Sequence, residues 1–242
     1  NSLKSKIEEA LQPEKPSPIT SAYIRKFIKH KVTMKKDGAV RYTTSAEIES
    51  LRNGLKDVRH SIYTQYSPCW DATNRGAIPK IDARCNQEGG VSIIESYRDE
   101  KKYTWSFQFS KALKKQETLK YGFTVDFPEY FPATKEKLKA MSQSPDYPYI
   151  NDRIEHHFFI NNQTLSFEME LFFEDCSVAQ NFNVTVYNGR LYSQDCVDQE
   201  EVERIRRCLT IDNESLFGET VKLIVSNPKV GSTYSISWEL GG

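Results

Sequence analysis

No stretch of this sequence approaches the roughly 18 consecutive apolar residues that a membrane-crossing helix needs. The first twenty residues are lysine-rich and broken by proline where a signal peptide would be apolar. Glycine is present at 11 positions, but none form G-x-G-x-x-G or a phosphate-cradling loop, and the adjacent pairs are Gly89-Gly90 and Gly241-Gly242. Nucleotide-driven chemistry therefore has no signature here. Histidine is confined to His30, His60, His156 and His157, so any hydrolase using imidazole as its base must draw on these four. The five cysteines, Cys69, Cys85, Cys176, Cys196 and Cys208, are odd in number and widely spaced, which is neither a disulfide framework nor a zinc knuckle. Reduced thiols, no metal and no cofactor are the expectation, in a soluble cytoplasmic protein.

What the chain does have is material for a core. Its 242 residues include 13 Phe, 13 Tyr and 3 Trp, which sets it apart from a disordered composition. Lysine plus arginine equals aspartate plus glutamate at 33 each, yet the net charge runs from +6 over residues 1–66 through +2 over 67–150 to −8 over 151–242. Basic and acidic residues lie beside one another rather than in blocks, so the asymmetry reads as complementarity within the fold or toward a neighbouring domain, and nucleic acid is not an expected partner.

Residues 2–11 place Leu3, Ile7, Ala10 and Leu11 at helical spacing, and Pro13, Pro16 and Pro18 then forbid continuation. The chain opens without an initiator Met, which suggests an excised piece or processed product. Between Ile19 and Thr44, two extended segments flank Lys36-Asp37-Gly38, and Asp-Gly predicts a type I′ hairpin turn. From Ala46 to His60, Ile48, Leu51, Leu55 and Val58 recur at i, i+3, i+7 and i+10, which predicts an amphipathic helix interrupted by Gly54. Residues 67–90, with Pro68 and Pro79, read as a connection.

Beyond it the period becomes two. Tyr103, Trp105, Phe107 and Phe109 form one alternating row, and Leu119, Tyr121, Phe123, Val125 and Phe127 a second. Leu165 through Phe173, Val221 through Val225 and Tyr234 through Leu240 repeat the pattern. Segments 154–160 and 182–187 have strand length, and Asn188-Gly189 is a second hairpin signal. Helices are predicted at Lys135–Met141 and Asp198–Leu209. The fold class that follows is α+β but mainly β: an antiparallel immunoglobulin-like β-sandwich over 91–242, with an N-terminal hairpin and helix over 1–66.

Three candidate chemistries stand out. His156-His157 and Glu174-Asp175-Cys176 would suit a cysteine-dependent hydrolase, but antiparallel pairing about Asn161-Asn162-Gln163 sets His157 beside Phe167 or Glu168, far from Cys176. One histidine packed and one exposed is the plainer reading. Loop aromatics Trp70, Tyr130, Phe131, Tyr147 and Tyr149 offer a platform for a partner. Arg204, Arg206 and Arg207 suit an anion, although Glu200, Glu201 and Glu203 supply partners along the same helix. The terminal Gly241-Gly242 admits a ubiquitin-like modifier, but it follows a strand with scarcely any tail.

The alternating aromatic strands, the Phe127-Pro128 and Phe131-Pro132 elements and the closing Tyr-x-Ile-x-Trp-x-Leu of Tyr234 to Leu240 resemble immunoglobulin-like accessory modules of multidomain bacterial signalling and defence proteins. The resemblance implies a fold and no functional residue. The expected function is a non-enzymatic regulatory module that docks a protein partner or neighbouring domain, with Trp70, Tyr130, Tyr147, Tyr149, Arg204, Arg206 and Arg207 at the contact. A modifier and a cysteine hydrolase are the alternatives.

Overall fold

Alternation of apolar and polar side chains builds most of the chain, because period two puts one row of each strand on a dry face and the other on a wet one. The computed structural model describes residues 21–63, 81–98, 102–127, 131–132, 134–143, 153–174, 179–189, 196–212 and 218–241. In chain order these give β1 (Tyr23–Met34), β2 (Val40–Ser50), β3 (Leu55–Tyr63), β4 (Ile81–Cys85), β5 (Val91–Arg98), β6 (Lys102–Leu113) and β7 (Thr118–Phe127). After α1 (Lys135–Ser142) come β8 (Ile154–Phe159), β9 (Ser166–Phe173), β10 (Ala179–Asn188) and α2 (Gln199–Ile205) with a 3₁₀ turn. The last three are β11 (Leu209–Asp212), β12 (Glu219–Ser226) and β13 (Ser232–Leu240). The fold is mainly β, and none of the described helices is long and apolar enough to cross a membrane.

The strands form one seven-stranded sheet, β11-β12-β9-β1-β2-β7-β4, and two three-stranded sheets, β10-β13-β8 and β3-β6-β5. Buried rows from all three meet in one core. Phe167 stacks on Phe158 at 4.9 Å and Phe173 meets Trp238 edge-on at 5.4 Å, which seats the β8 sheet against β9. Phe123 packs on Trp105 at 5.4 Å and on Phe107 at 5.2 Å, which seats the β6 sheet against β7. The opposite face of the large sheet is polar. There Lys29 donates to Glu168 and Glu170, both at 2.7 Å, and Lys31 reaches Glu170 at 2.8 Å. Partial burial works against the Glu170 charge, yet these lysines hold its carboxyl below the ordinary value.

Several sequence expectations change. The helix predicted over 46–60 is the end of β2, a turn and the start of β3. Ala46, Ile48 and Ser50 are buried in alternation, Leu51 is exposed, and Gly54 turns the chain at φ 85°. Two strand rows on either side of a four-residue turn mimic helical spacing. The β1–β2 connection is a hairpin, with Lys35 N–H on the Ala39 carbonyl at 2.9 Å, but only Gly38 has positive φ, so the turn is not type I′. Asn188-Gly189 closes no two-residue hairpin; Tyr187 bridges Val197 instead. The predicted 67–90 connection contains β4, and residues 2–11 lie outside the described ones.

The self-contained immunoglobulin-like sandwich over 91–242 also gives way. β1 pairs parallel with β9, from Ile28↔Phe167 to Met34↔Phe173, while β2 pairs with β7. The N-terminal strands thus lie in the middle of the large sheet, between strands of the expected sandwich. Non-local pairing of this kind has no local sequence signature.

Gly218, just before β12, has φ 151°, and a Cβ there would lie 2.1 Å from the Phe173 carbonyl oxygen. Gly218→Ala is expected to destabilise the fold by about 3 kcal/mol, measured as a lower urea midpoint at unchanged slope.

Candidate functional site

A fault in the alternation of β1 creates the feature that stands out in the interior. Tyr23 and Arg25 are buried, and then Ile28, His30, Val32 and Met34, so the buried row changes from odd to even numbers. The cause is a β-bulge between Arg25 and Phe27, where the pairing with β2 shifts. The bulge lets an arginine occupy a position that would otherwise take an apolar residue. Arg25 is 3% exposed.

Its surroundings are polar but uncharged. Nη1 donates to Asn161 Oδ1 at 2.7 Å, Nη2 lies 3.5 Å from the Tyr23 hydroxyl, and Nε is enclosed without a hydrogen-bond partner. The guanidinium carbon sits 5.8 Å from the centre of the Tyr23 ring, within range of a cation–π contact. Asn162 Nδ2 donates to the Tyr23 hydroxyl at 3.0 Å and to Asn161 Oδ1 at 3.1 Å, and Ser21 Oγ donates to Asn162 Oδ1 at 3.0 Å. The backbone fixes this loop to the arginine: Arg25 N–H donates to the Gln163 carbonyl and Leu165 N–H to that of Arg25, both at 2.9 Å. No described carboxylate pairs with Arg25.

The buried polar groups continue along the inner face. His60 Nε2 and the Tyr121 hydroxyl are 2.9 Å apart. Burial, then the positive charge of Arg25, pushes the His60 imidazole well below its ordinary pKa, while burial pushes the Tyr121 phenol up. His30 Nε2 and His156 Nε2 are 3.0 Å apart with the rings stacked at 5.1 Å, and His30 Nδ1 meets Thr44 Oγ1 at 2.9 Å. Burial lowers His30 to about 3 and His156 well below normal. One ring must donate its Nε2 proton to the other, an arrangement that requires the accepting ring to be neutral. The result is a seam of neutral hydrogen-bonding groups around a single buried cation. Its imidazoles are poor bases, suited to holding a ligand rather than taking its proton.

The seam contains none of the residues put forward from sequence as contacts. Trp70, Tyr130, Tyr147 and Tyr149 lie outside the described residues, as do Cys176 and Gly242. Arg204 holds Glu201 through Nε at 2.6 Å and Nη2 at 2.5 Å, the internal pairing foreseen along that helix. Glu201 also accepts from the buried Tyr234 hydroxyl, so this network ties α2 to β13. Arg206 and Arg207 are exposed and do not join the seam. β8 and β9 do not pair about residues 161–163; they belong to different sheets. His157 therefore lies opposite Ser235 on β13. Its side chain is only 11% exposed, so the expected exposed histidine is enclosed. Among the described residues no group of three or more His, Cys, Asp or Glu side chains is placed to hold a metal ion.

No family model and no curated protein matches the chain. Among solved structures it is similar to a candidate protease from Parabacteroides distasonis, at 7% identity and a TM-score of 0.48, over 90% of this chain and 40% of that one. It is also similar to an M1 zinc metallopeptidase from Deinococcus radiodurans, at 8% identity and a TM-score of 0.48, over 89% and 42% of the two chains. A candidate nutrient-binding protein from Legionella pneumophila aligns at 9% identity and a TM-score of 0.43, over 89% and 67%. The chain spans about two-fifths of the length of the first two. These neighbours include peptidases rather than docking modules, and the expectation of a non-enzymatic partner-docking protein is withdrawn. At such identity and TM-score the likeness assigns no activity, zinc site or substrate to this chain.

Proposed function

We propose that this chain is a ligand-recognising β unit that binds an anionic group in its interior seam, at Arg25. The observation that supports this reading is a guanidinium 3% exposed, with Nε unpartnered and no described carboxylate beside it. An uncompensated buried charge costs several kcal/mol. An anion removes that cost, and the Tyr23 and Asn161 side chains already hold the guanidinium in place. Fixing one charged end of a substrate is also how a β unit serves an enzyme, since orientation of the bound molecule lowers the barrier to its reaction.

The test compares wild type with Arg25→Met in sodium acetate, phosphate or sulfate at constant ionic strength. Without added anion, the variant is expected to melt no lower than wild type, because methionine fills similar space without a charge to desolvate. As anion is added, wild type alone should gain stability along a saturable curve. Equal responses of the two proteins would reject the reading.

A further inference from the structure

Arg41 and Arg204 each hold a carboxylate along one edge of the guanidinium, and in Arg25 that same edge carries no described carboxylate. Arg41 holds Asp126 through Nε at 2.7 Å and Nη2 at 3.2 Å. Arg204 holds Glu201 through Nε at 2.6 Å and Nη2 at 2.5 Å. In Arg25 the remaining nitrogen, Nη1, is committed to Asn161 at 2.7 Å. Nε has no partner, Nη2 has the 3.5 Å contact with the Tyr23 hydroxyl, and the Tyr121 hydroxyl also lies against the guanidinium. Two parallel N–H groups along one edge match the two oxygens of a planar carboxylate.

We infer that the anion bound at Arg25 is a monocarboxylate, held side-on by Nε and Nη2; the inference rests on the anion-binding reading above. Charge and donor number separate it from phosphate. A phosphate monoester carries close to two negative charges and three acceptor oxygens. The seam offers one cation, because Lys26 is drawn to Glu49 at 2.8 Å, and Lys29 and Lys31 to Glu170 at 2.7 and 2.8 Å. The imidazoles nearby cannot add charge, since burial keeps His60 and His30 neutral. One carboxylate neutralises one guanidinium and accepts from Nε–H and one N–H of Nη2. Nε is enclosed in the present conformation, so entry requires side chains around the guanidinium to shift.

The experiment follows the Nε–H resonance of Arg25 in proton–nitrogen spectra of the full chain, identified by its loss in Arg25→Lys. Sodium acetate, N-acetyl-trialanine with a free C-terminus and inorganic phosphate are titrated separately at fixed ionic strength. A saturable shift with acetate or the peptide, at least tenfold tighter than with phosphate, is expected. The tighter of the two carboxylates distinguishes a small organic acid from a peptide end. Arg25→Lys keeps the charge and loses the fork, so its carboxylate binding, followed by melting temperature, should weaken at least tenfold. Should that variant not fold, the wild-type ranking of acetate against phosphate decides alone. Phosphate binding as tightly as the carboxylates would overturn the carboxylate inference while keeping the anion site. No shift with any of the three would overturn both.

Discussion

Acidification from about pH 7.5 to about pH 5 is expected to remove roughly 4 kcal/mol of folding stability through His30 and His157 alone. Burial holds both imidazoles near 3, against about 6.5 in an unfolded chain. Between those values the unfolded state binds protons that the folded state refuses, so stability rises with pH and is lost as pH falls through 6.5 toward 3. At pH 5 each group contributes a loss of about 2 kcal/mol. His60 and His156, also depressed by burial, act in the same direction. Below the ordinary carboxylate range, protonation of Glu170 and Glu201 adds to the loss, because their partners hold both carboxyls low despite burial. Urea midpoints across this pH range measure the effect directly. A midpoint that stays constant from pH 7.5 to pH 5 would show that the imidazoles are hydrated and titrate freely.

Trp238→Ala is expected to cost about 3–5 kcal/mol. The indole is 1% exposed and meets Phe131 edge-on at 5.3 Å and Phe173 edge-on at 5.4 Å. It lies where the β8 sheet meets the large sheet, so its removal opens a cavity bounded by two separately built walls. Collapse to fill that cavity would have to move β13 against β9, and β13 is held on both sides by β10 and β8. Trp238→Phe, which keeps an aromatic ring, should cost less than half as much. Thermal or urea unfolding provides the measurement; a loss below about 1 kcal/mol for the alanine variant would mean the site relaxes freely.

Strand rows were legible wherever alternation ran unbroken. Trp105, Phe107 and Phe109, and likewise Leu119 through Phe127 on odd positions, are buried as the period requires. The 46–60 segment misled because a turn between two buried rows reproduces helical spacing, and only Gly54 and the Glu47/Glu49 alternation argued otherwise. The parallel pairing of β1 with β9 could not be read, since no local pattern specifies which distant strand will dock. Arg25 was missed for a related reason. It sits among Lys26, Lys29 and Lys31 in a stretch that reads as a basic surface. The available signal was a change of phase: Tyr23 and Arg25 on odd positions, Ile28, His30 and Val32 on even ones. A phase change inside a strand marks a bulge, and a bulge re-aims side chains.

Lys29 and Glu168, neighbours across the central strand pair, are 139 positions apart in the chain. At ribosomal rates of about 5–20 residues per second, β1 waits roughly 7–28 s before β9 has been made. During that interval the β1–β2 hairpin holds Ile28, Val32 and Met34 with one flank unpaired, a template for other extended chains. Completion of the sheet is therefore a late event in biosynthesis, and the nascent polypeptide passes through a stage at which chaperone capture and self-association compete for the same exposed edge.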